Sequence, residues 1–238
     1  MMRAISHPLI AVFLAALAAA QDQPATNELT PELLNKLQIA AQHAKANQFR
    51  EALAAYTEFL SVRSDMFSPY LDRGKVYHSL KEHTKAVDDF SAALKLKSDL
   101  VEAYLRRGMA YYDAKEYAKA ILDCEKYVES KPKTVTFEPF YYKGMAHAGL
   151  GEYDKATAAL KVAFELNNNL PEAHMLLGRI YTEQNQLLSA LREYTIAIQQ
   201  RPGEGEAFKL RAAIKSSLGD IRGSEEDLAR ARSGIRPR

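Results

Sequence analysis

Residues 103–121 read AYLRRGMAYYDAKEYAKAI, helical in pattern almost throughout but with Gly108 in the middle. A glycine inside a helix costs about 0.5–1 kcal/mol relative to alanine, so the packing around residue 108 has to compensate. The same surroundings recur in YLDRGKVY (70–77), YLRRGMAY (104–111), FYYKGMAH (140–147) and HMLLGRIY (174–181). Gly74, Gly108, Gly144 and Gly178 are thereby separated by 34, 36 and 34 residues, a period that marks a repeated supersecondary unit.

Agreement continues downstream of each glycine. An alanine follows at Ala86, Ala120, Ala156 and Ala190, then Phe90, Cys124, Leu160 and Tyr194, then Ala93, Tyr127, Ala163 and Ala197. Pro132 and Pro202 close two of the windows. Weaker copies flank them, one with Ala40, Ala52, Tyr56 and Phe59, the other with Phe208, Ala212, Leu228 and Ala231. Over about residues 33–238 the chain resembles tetratricopeptide-repeat proteins. That resemblance implies an all-α solenoid of about six helix-turn-helix repeats and about twelve helices, wound as a right-handed superhelix. The repeats fall at 33–66 (degenerate), 67–100, 101–136 with an extended loop, 137–170, 171–204 and 205–238 (degenerate, capping, with a frayed tail).

In this frame two antiparallel helices cross closely at each glycine, with Ala120 the expected partner of Gly108. Tyr104, Arg107 and Tyr111 share one helical face and fill the space beside the crossing. Tyr70, Tyr77 and Tyr181 do the same in other units, so most of the 13 tyrosines read as core. Thr30-Pro31 and Ser68-Pro69 each offer an N-cap followed by a helix-starting proline. The stretches GLGEYD (149–154) and LGDIRG (218–223) are turns within units, while SKPKTVTFEP (130–139) is a lengthened loop between units.

With 47% hydrophobic and 26% charged residues the chain is a folded one, and a net charge of +2 gives no sign of nucleic-acid binding. Met1-Met2-Arg3 precede the apolar run PLIAVFLAALAAA (8–20) and a polar stretch, QDQPATNE. This reads as a secretory signal peptide cleaved after Ala20, with residues 21–32 a leader. An apolar run this short falls below the roughly 20 residues needed to span a bilayer, and no later stretch spans one. Cys124 is the only cysteine, so an exported chain would depend on packing in place of disulfides.

No residue pattern favours chemistry. His43 and His147 share the phase of Tyr77, and His174 that of Tyr104, so all three read as packing residues, and no His-Glu-x-x-His spacing is present. The Gly149–Gly151 stretch lacks a dinucleotide fingerprint, and no nucleophile elbow or Walker loop occurs. No enzymatic activity, cofactor or metal is expected.

The resemblance places the binding surface on outward positions of the first helices: Lys75 and His78; Arg106, Met109 and Tyr112; Tyr141, Tyr142 and Met145; Met175 and Arg179. An aromatic and methionine-rich centre flanked by Lys75, Arg106 and Arg179 suits a peptide or protein segment, the cations supplying charge-assisted hydrogen bonds. Members of the family that clamp acidic chaperone tails use lysines and asparagines on successive first helices. Leu37, Ala41, Asp72 and Glu102 stand at those places here, and only Arg106 fits. The expected function is an exported scaffold that binds a protein partner and serves assembly or maintenance of an envelope complex. The alternative is a periplasmic or endoplasmic-reticulum co-chaperone that holds unfolded chains, although no J-domain His-Pro-Asp loop and no retention tetrapeptide occur.

Overall fold

The computed structural model describes residues 29–233. The stretch read as a signal peptide, most of the leader and the end of the tail lie outside them. The described residues form twelve helices in six pairs: α1 Pro31–Lys45 and α2 Phe49–Val62; α3 Phe67–Ser79 and α4 His83–Leu96; α5 Val101–Asp113 and α6 Tyr117–Glu129. The series continues with α7 Glu138–Gly149 and α8 Tyr153–Leu166; α9 Pro171–Glu183 and α10 Leu187–Gln200; α11 Gly205–Ser217 and α12 Ile221–Ser233. Each helix packs mainly on its neighbours in sequence, and successive first helices also touch from α1 to α9. The result is a tetratricopeptide-type solenoid whose core runs continuously between units.

Every turn within a pair is built alike. One residue adopts positive φ, at Asn47, Lys81, Lys115, Gly151, Asn185 and Gly219. The following amide donates to a carbonyl five residues back, as in Glu116 to Tyr111 (2.8 Å) and Gln186 to Tyr181 (2.7 Å). This is the Schellman closure of a helix, which returns the chain antiparallel. Glycine at 151 and 219 meets the left-handed requirement without a Cβ penalty. Between units, residues 130–137 separate α6 from α7 where 97–100 suffice between α4 and α5.

Thr30 caps α1, its hydroxyl accepting from the Leu33 amide at 3.3 Å. The expectation for Ser68-Pro69 is corrected: α3 starts two residues earlier, at Phe67 after Met66, and Ser68 makes no cap. Pro69 is tolerated there because first-turn amides have no partner inside the helix.

The helix crossings are as close as the glycines suggest, but against different atoms. A methyl group at Gly178 would lie 2.5 Å from the Tyr194 ring, at Gly74 2.7 Å from the Phe90 ring, and at Gly144 2.9 Å from Leu160. At Gly108 it would meet Asp123 Cβ at 3.3 Å, and the Ala120 carbonyl oxygen and Cys124 Sγ at 3.4 Å. The glycine thus seats the residue sixteen positions on. Ala120, the expected partner of Gly108, meets it through its carbonyl oxygen, as Ala156 meets Gly144. Cys124 is buried, and that burial, with Asp123 beside it, pushes its thiol up to about 12; it is a core atom with no nucleophilic character.

Arg107 is more than filler. Its guanidinium donates to both oxygens of buried Asp123 (2.7 and 2.8 Å) and to the Ser91 hydroxyl (3.1 Å). Tyr104 and Tyr111 flank it at 5.8 and 5.7 Å. Arg73 repeats the arrangement with Asp89 and Thr57, and Arg211 with Asp227 and Thr195. Each arginine therefore ties its own second helix to the second helix of the preceding unit. In the fourth unit Lys143 instead reaches back to Glu125 (2.7 Å), and Ala159 stands where the aspartate would be. In the fifth, Leu177 joins an apolar cluster, and buried Glu193 is met at 2.8 Å by His174, which stacks on Phe164.

The acids respond to their surroundings. Burial raises the Asp89 carboxyl against the pull of Arg73. Burial also acts upward on Asp227, but Arg211 and Lys215 together outweigh it and hold that carboxyl below its usual range. Asp227 therefore contributes stability above its unfolded value of about 3.9 that is lost as pH falls through the lower folded value. Asp89, raised, has the opposite sign.

The crossings differ enough for a stability test. Gly178→Ala should destabilise by about 1–3 kcal/mol because the Tyr194 ring must move. Gly108→Ala, whose nearest neighbours at 3.3–3.4 Å need give only a few tenths of an ångström, should cost less, its strain offset by up to about 1 kcal/mol of helix propensity. Urea denaturation of the two variants checks the ordering, and equal effects would contradict the crossing geometry.

Candidate functional site

The first helices bring an aromatic group together at the third and fourth units. Tyr112 on α5 lies 5.7 Å from both Tyr117 and Tyr142, and Tyr142 on α7 lies 5.6 Å from Tyr141, in tilted or edge-to-face contacts. Such geometry is favourable beyond simple burial. Burial pushes the Tyr142 hydroxyl up to about 12 and raises those of Tyr141 and Tyr112. All three stay protonated at neutral pH. Met109, Phe137, Tyr141, Tyr142 and Leu170 line a depression of about 360 Å³ whose rim carries Glu138 and Glu172.

Around this centre the expected cations are already engaged. Lys75 lies 2.9 Å from Glu102 and 3.3 Å from Asp72, and exposed Arg179 lies 3.9 Å from Glu206. Arg106 Nε is 3.6 Å from Glu102, too far for a hydrogen bond, and this buried atom has no hydrogen-bond partner. Glu138 Oε2 is likewise buried and unpartnered. Both side chains act electrostatically on the Tyr142 hydroxyl, so the two residues share its neighbourhood. Unmet polar atoms of this kind are rare in native proteins and call for an explanation.

The acids at Glu102, Glu138, Glu172 and Glu206 form a column, one in the first turn of each first helix from α5 to α11. An acid there suits the helix dipole, and Glu172 pairs with Arg201. Glu102 enters the sequence reading only as a residue standing where a chaperone-tail donor would fall, although the recurrence of an acid at that phase is visible in the sequence.

Other expected residues separate from the groove. Met175 is corrected: at 7% exposure it packs with Ala197, Ile198 and Phe208, because the ring of Phe208 in the next unit covers it. Met145 remains half-buried on α7. His78, in the last turn of α3, hydrogen-bonds through Nε2 to Asp113 of the next unit at 2.7 Å. His43 and His147 pair with Gln48 and Glu152, so these packing residues also close turns.

A larger depression, about 760 Å³, lies on the other side of α7 between α6 and α8. Its polar groups already satisfy one another: Lys143 with Glu125 (2.7 Å), His147 with Glu152 (2.5 Å) and Lys155 with Glu152 (3.0 Å). The groove beside Tyr142 is smaller but retains unmatched polar atoms, and we take it as the candidate site.

Comparison with known proteins agrees with this architecture. Tetratricopeptide-repeat models match residues 74–115, 101–134 and 141–205, so the chain carries these repeats. A stretch of 77 residues, 32% of the chain, is 31% identical to the cell division cycle protein 27 homolog A of Arabidopsis thaliana. It spans only 11% of that protein. Among solved structures, PilW, described as a widely conserved type IV pilus biogenesis factor, is similar with a TM-score of 0.75 at 22% identity, over 86% of this chain and 94% of that one. YrrB, described as having an unusual peptide-binding site, gives 0.59 at 24% identity over 76% and 92%. A tetratricopeptide repeat protein of Parabacteroides merdae gives 0.65 at 20% identity over 94% and 86%. These likenesses establish the fold.

Proposed function

We propose that this tetratricopeptide-repeat chain is a non-enzymatic scaffold that binds an extended segment of a partner protein in the groove beside Tyr142. The observation that carries the reading is the pair of buried, unpartnered atoms, Arg106 Nε and Glu138 Oε2, next to an aromatic wall. A peptide backbone supplies a carbonyl for the first and an amide for the second, and its side chains can occupy the apolar depression between Met109 and Leu170. An acidic tail does not fit, because Lys75 and Arg179 are already paired with acids and the acid column would repel it. The preferred segment is extended, neutral or basic, with an apolar or aromatic anchor. YrrB, described as a peptide-binding protein with a similar solenoid, is consistent with this use of the fold.

We further propose that the scaffold is exported and works in an envelope complex, a reading that rests on the basic start and apolar run of residues 1–20. PilW, described as a type IV pilus biogenesis factor, has a similar solenoid and is consistent with this reading.

Two measurements test these readings. Against a panel of unstructured peptides, the chain should select few, and Tyr142→Ala should weaken the selected ones at least tenfold, about 1.4 kcal/mol. Arg106→Ala should weaken them similarly while leaving the melting transition within about 0.5 kcal/mol. Binding of most of the panel would favour a chaperone that holds unfolded chains, and selective binding that survives both substitutions would place the site elsewhere. For export, intact mass of material recovered outside the cytoplasm should correspond to a chain beginning at Gln21; a retained apolar run would overturn cleavage after Ala20.

A further inference from the structure

The turn between α3 and α4 meets the end of α5 in a group that the repeat frame does not anticipate. His78 closes α3, His83 opens α4 and Asp113 ends α5. One donor atom from each of the three, a ring nitrogen or a carboxylate oxygen, lies within 4.8 Å of the other two. The two imidazoles approach edge to face with centroids 5.7 Å apart, and His78 Nε2 is 2.7 Å from Asp113 Oδ2.

A second observation points to a missing ligand. His83 Nδ1 is buried and has no hydrogen-bond partner among the described residues. A buried imidazole nitrogen facing no donor or acceptor forfeits the hydrogen bond it would make in water. Lone pairs from two imidazoles and one carboxylate match the protein donor set of zinc sites. Donors about 2.1 Å from one tetrahedral ion stand roughly 3.4 Å apart. An ion seated there would draw donors now up to 4.8 Å apart together and replace the His78–Asp113 hydrogen bond. Because His78 and His83 are only half-buried and Asp113 is exposed, an ion can enter without opening the core. Imidazole nitrogen favours zinc, copper or nickel over the hard cations magnesium and calcium.

We propose that His78, His83 and Asp113 bind one divalent transition-metal ion of the zinc type, joining the second unit to the third. Bound there, the ion pins the α3–α4 turn against the end of α5. Asp113 adjoins Tyr112 and acts electrostatically on Tyr142, so the ion also fixes one edge of the aromatic groove.

Calorimetric titration of the full chain with zinc chloride tests the site. The expected result is one zinc per chain, undiminished by millimolar magnesium. His78→Gln, His83→Gln and Asp113→Asn should each weaken it at least tenfold, whereas His147→Gln, outside the group, should not. The metal-free melting temperature of Asp113→Asn should match that of the parent, so that lost binding is not lost folding. Absence of saturable binding, or one-to-one binding unchanged in both His83→Gln and Asp113→Asn, would overturn the proposal.

Discussion

Everything in this solenoid depends on how closely the two helices of each unit approach. At Gly74, Gly144 and Gly178 any side chain would collide with the residue sixteen positions later. That distance fixes where the second helix lies, and the second helix is the surface on which the next unit packs. Glycine costs helix propensity at each site, and the cost is offset by burial of Phe90, Leu160 and Tyr194, all essentially inaccessible to solvent. Because the interaction is repeated, small differences between units add along the array.

The arginine ties convert a stack of hairpins into a connected body. Arg107 touches Asp123 in its own unit and Ser91 in the preceding one, and Tyr104 and Tyr111 hold its planar group from both sides. Burying such a pair has a desolvation cost, and its value lies in specifying one arrangement of neighbouring helices. The ties occur in the second, third and sixth units. Between them, Lys143 and Leu177 replace arginine, and the larger depression opens where Ala159 leaves the acid position empty. The aromatic groove lies on the other side of that same α7 helix, between the third unit, which has an arginine tie, and the fourth and fifth, which do not.

Much of this was legible in the sequence because a repeat fixes phase. The glycine period gives the helix pairs, and Met109 and Tyr142, grouped by phase, line one depression, with Arg106 acting electrostatically on Tyr142. Phase does not give the displacement of one helix along another. Arg107 therefore reads as packing although Arg73, Arg107 and Arg211 each stand sixteen residues before an aspartate and sixteen after a hydroxyl residue. For the same reason the pairing of Lys75 with Glu102, the meeting of His78 with Asp113 and the cover of Phe208 over Met175 appear only in three dimensions. Ser68-Pro69 misleads for a local reason, since a proline fits any position of the first helical turn.

The central claim is that the sixteen-residue arginine–aspartate tie fixes the register of the two helices within a unit. A double-mutant cycle on Arg107 and Asp123, using Arg107→Met, Asp123→Leu and the pair, measures it most directly by urea denaturation. Each single change should cost about 3–5 kcal/mol, because it leaves the partner charge buried and unmatched. The double variant should be less destabilised than the sum by more than about 1 kcal/mol. Strictly additive costs would mean that the two side chains do not act as a tie, and would contradict the account.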